Sequence, residues 1–146
     1  MTTIIGTKEA LYSDSQCSDE DQKWSVIKVE RIAGALYGAA GDAADGEKFL
    51  NWIRRGKRGK KPTVEDGFDC LMLSKDGLFF WDSNLHPIPL LQSHAIGSGA
   101  KAARAAMMMG ATPEKAIEIS CQIDAGSSLP LQVYHLIEPK QEPLNA

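Results

Sequence analysis

The chain has 146 residues, with 16 Lys and Arg against 19 Asp and Glu for a net charge of -3, which is enough length for one domain that folds without metal or disulfide staples. An acidic molecule of this kind has no overall attraction to nucleic acid or to an anionic membrane. Cys17, Cys70 and Cys121 share no metal or Cys-x-x-Cys spacing, no apolar run approaches the ~18 residues of a membrane span, and no leader pattern opens the chain, so a soluble cytoplasmic protein with free thiols is expected.

The chain opens Met1-Thr2-Thr3-Ile4-Ile5-Gly6-Thr7. A small residue behind the initiator predicts removal of Met1, which leaves Thr2 with both a free α-amine and a β-hydroxyl. An unperturbed α-amine titrates near ~7.7–8.0, so at neutral pH part of it can act as base for the hydroxyl beside it. The same stretch also reads as a plain edge strand. Thr3–Thr7 and Ala10-Leu11-Tyr12-Ser13 predict a β-hairpin, which sets Asp14 beside the chain start. Ser15 to Lys23 is polar and acidic and predicts a solvated loop. Trp24–Val29 alternates as a third strand, with Lys28 on the face of Trp24 and Val26. Such a lysine either snorkels to water or is a placed charge.

Ile32–Gly41 predicts a strand poor in large side chains, suited either to close approach by an extended substrate or to tight packing under a helix. Asp42 then caps a helix to about Ile53, with Phe49, Leu50, Trp52 and Ile53 as its buried stripe. A turn from a glycine-rich strand into a helix presents backbone N–H groups that can hold an oxyanion. Arg54 to Lys61 holds six cations in eight residues, but its glycines make it a loop, it lacks aromatic interleaving, and acidic residues follow, so nucleic-acid binding is not expected. Phe68–Ser74 and Leu78–Asp82 predict a hairpin across Lys75-Asp76-Gly77, and their continuous apolar character implies cover on both faces. His86-Pro87-Ile88-Pro89 is an edge or turn. Ser93–Ile96 leads through Gly97-Ser98-Gly99 into a helix from Ala100 to Met109. A second helix runs from the Thr112 cap and Pro113 to about Ile123, with Ala116, Ile117, Ile119 and Ser120 inward. Asp124–Ser128 is a loop and Leu131–Leu136 a last strand. The expected fold is an α+β sandwich of two antiparallel sheets in four layers (αββα), one domain over 1–138 with a flexible tail over 139–146. His86, His94 and His135 fall on different elements without companion ligands, so neither metal nor other cofactor is expected.

In this order the landmarks resemble a proteasome β-type subunit of the HslV-like kind, within the N-terminal-nucleophile (Ntn) hydrolases. Thr2-Thr3-Ile4-Ile5 resembles the processed start, with Thr2 at the nucleophile position. Asp14 and Lys28 match the family's aspartate and catalytic lysine. Gly41-Asp42-Ala43-Ala44-Asp45 resembles the Gly-x-Ala-Ala-Asp signature, which implies an oxyanion donor at Gly41 and a first specificity pocket lined by Ala43 and Ala44, fit for a medium or large uncharged side chain. Ile96-Gly97-Ser98-Gly99 and Asp124-Ala125-Gly126-Ser127 match the turn and the Asp-x-x-Ser pair, implying that Ser98, Asp124 and Ser127 support the nucleophile's amine. Singly these motifs are weak, since Gly-Ser-Gly before a helix also suits a phosphate. Two departures stand out: the glycine-broken basic run replaces a second long helix, shortening the first helical layer, and Ser128-Leu129 replaces a glycine doublet.

The resemblance implies a threonine-type endopeptidase acting on peptides or unfolded proteins, assembled as a homo-oligomeric ring or stacked rings, with an ATP-dependent unfoldase as a candidate partner. Two alternatives stay open: a catalytically silent ring or scaffold subunit, favoured by a retained Met1, and an Ntn amidase acting on a small amide. Cys17 reads as an ordinary thiol rather than a nucleophile.

Overall fold

The β-branched opening forms the centre of the first sheet in the computed structural model, which describes residues 2–138; the expected loss of Met1 and the expected tail over 139–146 lie outside the described residues. Strand β1 (Ile4–Gly6) pairs antiparallel with β2 (Ala10–Ser13). The turn between them is held by Thr7, whose Oγ1 accepts from the N–H groups of Glu9 and Ala10. Every residue of both strands is buried, which requires cover on both faces.

After Asp14 the chain departs from its expected course. Residues 15 to 23 are not a loop: β3 (Gln16–Asp19) and β4 (Gln22–Ser25) form a two-stranded ribbon outside both larger sheets. A two-residue turn at Glu20-Asp21 closes it, with Glu20 at φ 48. The ribbon has no hydrophobic alternation because all of β4 and the outer half of β3 face water. Its base is anchored where Val26 N–H donates to Ser15 O and Ser15 N–H donates to Ser128 O. Trp24–Val29 is accordingly no continuous strand: β4 ends at Ser25, residues 26–28 connect, and Lys28 belongs to the connector.

The second sheet has five antiparallel strands in sequence order: β5 (Val29–Ile32), β6 (Ala35–Ala40), β7 (Asp69–Ser74), β8 (Gly77–Trp81) and the edge strand β9 (Ile88–Pro89). Ile32 ends β5 instead of opening β6, because Ala33 and Gly34, at φ 50 and φ 83, make a tight hairpin turn between them. The first sheet is completed by β10 (His94–Ile96) and β11 (Gln132–His135), in the order β10-β1-β2-β11.

Helix α1 (Ala43–Arg54) starts where Asp42 accepts the N–H of Asp45 at 3.1 Å. Helix α2 (Ala100–Met108) follows Gly99, and α3 (Pro113–Ile123) follows the Thr112 cap. Residues 55–68 run to β7 without a second helix. Three buried clusters hold these elements together. Phe49, Trp52 and Ile53 of α1 pack with Tyr37, Phe68, Cys70 and Trp81, the Phe49 and Trp81 rings meeting edge-on at 5.1 Å. Ile4, Leu11 and Ile96 of the first sheet meet Leu36, Leu71 and Leu78 of the second. Ile5, Ala10 and Ala95 meet Ala103, Ala116 and Ile117 of the α2–α3 pair. The period of two puts Ile4 in one cluster and Ile5 in the next. The result is an α+β fold with antiparallel sheets and three helices, and among the described residues no helix is long and apolar enough to cross a membrane.

Candidate active site

Asp14 leaves the end of β2 with no exposed surface, and its two oxygens take four donors. Oδ1 accepts from Thr3 N at 3.0 Å and from Lys28 Nζ at 2.9 Å; Oδ2 accepts from Gln16 N at 3.0 Å and Ser128 N at 3.1 Å. Three backbone N–H groups fix the carboxylate, and the carboxylate fixes the lysine. The side chain of Lys28 is only 7% exposed, so the charge is not snorkelling to solvent. From the same nitrogen Lys28 donates to Thr2 Oγ1 at 3.1 Å. A hydroxyl oxygen that accepts from an ammonium must direct its own proton elsewhere.

Thr2 itself is held from the opposite side. Its N donates to Ser98 Oγ at 3.2 Å, and its carbonyl accepts from Gly99 N at 3.2 Å. Asp124, at the end of α3, places Oδ2 2.6 Å from both Ser98 Oγ and Ser127 Oγ. A carboxylate only accepts, so both serine protons point to it. Ser98 is left as an acceptor towards Thr2 N, and Ser127 as the acceptor of the Thr3 hydroxyl at 2.7 Å. Burial pushes the Asp124 carboxyl up, but the hydrogen bonds from Ser127, Ser98 and the Gly126 N–H together hold it below the ordinary carboxylate range.

The glycines of the Gly97-Ser98-Gly99 turn are required by contact. A Cβ on Gly97, at φ +95, would run into the Thr2 carbonyl, and one on Gly99 into Thr3 Oγ1. Gly41 sits between β6 and α1 at φ +123, and its N–H finds no acceptor among the described residues. Thr2, Lys28 and Gly41 line one cavity of about 520 Å³.

Thus Thr2, Asp14, Lys28, Ser98, Asp124 and Ser127 form one hydrogen-bonded network, and Gly41 shares a cavity with the first and third of them. Ala43 also lines that cavity; Ala44 does not and is exposed, because the helix turns it outward, and Gly46, Glu47 and Leu50 take up the lining. Sequence reasoning missed these three, and it missed Gln16 and Trp24, which reach the cavity through the β3–β4 ribbon, and Ile27, which reaches it from the connector that follows. The alternation of Gln16-Cys17-Ser18-Asp19 carries no hydrophobic signal that could have found it. Cys17 also lines the cavity, half-buried and free. Among the described residues no group of three His, Cys, Asp or Glu could hold a metal ion.

No known protein-family profile matches the sequence, and no curated protein does. Solved structures do match it over nearly all its length. Thiobacillus denitrificans BPH aligns with TM-score 0.69 at 15% identity, over 97% of this chain and 99% of its own. The same protein in complex with epoxomicin aligns with TM-score 0.65 at 16% identity, over 94% and 99%. Eukaryotic HslV from Trypanosoma brucei aligns with TM-score 0.68 at 24% identity, over 91% and 98%. The chain has a proteasome β-type, HslV-like fold.

Proposed function

We propose that this chain is the threonine-type endopeptidase subunit of a ring-shaped protease, with Thr2 as nucleophile once Met1 is removed. The observation that carries the reading is Lys28 Nζ, which bridges Thr2 Oγ1 and the buried Asp14. A lysine with nine-tenths of its side chain buried is costly unless its charge is paired, and here Asp14 pairs it while it donates to the Thr2 hydroxyl. With Thr2 N-terminal, its amine keeps an N–H on Ser98 and its lone pair is available for the hydroxyl proton, directly or through water. Thr2 Oγ attacks the peptide carbonyl, the amine passes the proton to the departing amine, and the Gly41 N–H receives the oxyanion. Water then hydrolyses the acyl ester and restores Thr2. Asp14 holds Lys28, while Asp124 and Ser127 hold Ser98 and Thr3 in register.

The three buried clusters support a four-layer αββα order with the first helical layer reduced to α1, forming one domain over 1–138. Three free cysteines fit a reducing cytoplasm. Substrates would be peptides or unfolded proteins, confined within a ring or stacked rings of identical chains and delivered by an ATP-dependent unfoldase.

Intact mass before and after a peptide epoxyketone or a β-lactone tests the reading. A mass lacking Met1 that gains one inhibitor per chain, with no gain in Thr2→Ala, is expected. A mass that retains Met1 and takes up no inhibitor would overturn it in favour of a silent ring subunit.

A further inference from the structure

The cavity of about 520 Å³ beside Thr2 has walls and a rim of different chemistry. Trp24, Ile27 and Leu50 supply apolar wall, the first two 47% and 77% exposed. Asp19, Asp42 and Glu47 stand on the same lining, and its one cationic side chain among the described residues, Lys28, already faces Asp14 at 2.9 Å. The three carboxylates are poorly compensated. Asp42 spends its side chain on capping α1. Glu47 shares Arg54 with Glu30, at 3.2 Å against 2.6 Å, so one guanidinium serves two carboxylates. Asp19 has no ion-pair partner among the described residues. An apolar trough with an anionic rim, opening beside the nucleophile, matches a long aliphatic stem that ends in a positive charge.

We infer that this cavity selects a lysine or arginine side chain of the substrate, its methylenes lying along Trp24, Ile27 and Leu50 and its head reaching Asp19 and Glu47. This rests on Thr2 being the nucleophile, and it replaces the uncharged preference that Ala43 and Ala44 alone imply. The walls by themselves would accept leucine. The rim adds attraction for a cation and repulsion for aspartate or glutamate, and discrimination arises from both. Arg54 sets the strength of the effect, since it withdraws part of the Glu47 charge.

The test separates binding from chemistry. Fluorescent peptides ending in arginine, leucine or glutamate amide are titrated by anisotropy onto Thr2→Ala protein, whose fold is checked by circular dichroism. Arginine is expected to bind about tenfold tighter than leucine, with glutamate weakest. In a Thr2→Ala background carrying Asp19→Asn and Glu47→Gln, the arginine affinity falls to that of leucine. Arginine binding no tighter than leucine, including no binding by either, overturns the inference. Turnover of the same series by processed wild-type protein is the second readout. Arginine-selective binding with no turnover upholds the cavity's preference and sinks the peptidase reading; turnover that favours leucine upholds the peptidase and sinks the preference.

Discussion

The two members of the buried ion pair do unequal structural work. Lys28→Ala removes one of four donors to Asp14 and leaves the three backbone N–H groups in place, so it should cost about 1–3 kcal/mol of stability. Asp14→Ala strands three N–H groups and a nearly buried ammonium together, costing about 3–5 kcal/mol. Both should lose peptide turnover, by on the order of 10²-fold or more. Melting temperatures and rates measured side by side check this; a Lys28→Ala variant that is folded and fully active would remove Lys28 from the mechanism. Asp124 supplies a pH signature. Its carboxyl lies below the ordinary range in the folded chain, so its stabilising contribution is present above the unfolded value of about 3.9 and is lost as pH falls through the folded one. The melting difference between wild type and Asp124→Asn should therefore be constant from about pH 7 to 5 and close below about pH 4. A difference that widens on acidification would contradict the hydrogen-bond assignment.

At the scale of elements, the turn before α2 is shaped by what it must clear. Gly97→Ala drives a Cβ into the Thr2 carbonyl at a positive φ, while Gly59, at φ +80, has open space where its Cβ would go. Urea unfolding should rank them: about 1–2 kcal/mol for Gly59→Ala from backbone strain alone, and more for Gly97→Ala, where about 1–3 kcal/mol of overpacking adds to that strain. Equal costs would mean that the turn can shift off Thr2. The α1 cap is a milder lever. Asp42→Ala should lower stability by about 1 kcal/mol and loosen the Gly41 N–H that precedes the helix, read as a fall in rate larger than the stability change alone explains. The basic run is less of a patch than its composition suggests. Arg54 is engaged by Glu30 and Glu47, and Lys57 lies 5.3 Å from the centre of the Trp81 ring.

At the scale of the whole molecule, assembly and activity should be separable. Size-exclusion chromatography with light scattering is expected to give an integer multiple of the chain mass, and Thr2→Ala should assemble as wild type does, because Thr2 contributes a hydroxyl to the site rather than a packing surface. Peptidase activity confined to the assembled fraction supports the ring; an active monomer would end it. No second helix stands between α1 and β7, so an unfoldase that docks at this end would meet α1 and the loop over 55–61. Neutralising Arg58, Lys60 and Lys61 should then weaken unfoldase-dependent degradation of a folded substrate while peptide turnover stays unchanged.

Local chemistry determined much of this before any contact was known. The Thr112-Pro113 start of α3, the Asp42 cap and the Pro-interrupted edge at β9 are read from single residues whose backbone preferences do not depend on distant partners. The doubly apolar runs of β7 and β8 likewise announce cover on both faces. What pairing alone decides could not be read in the same way. Apart from the single Cys17–Trp24 pair the β3–β4 ribbon is polar, so its strand character comes from backbone bonds with no side-chain alternation to betray them. Lys28 stands in a connector, and only the approach of Asp14 and Thr2 from distant stretches of chain distinguishes a placed ammonium from a surface one. The cavity rim depends on a ribbon turn and a helix face more than twenty residues apart. Sequence periodicity carries local preference and burial; the charge at a site is a sum over distance, and distance exists only once the chain has closed on itself.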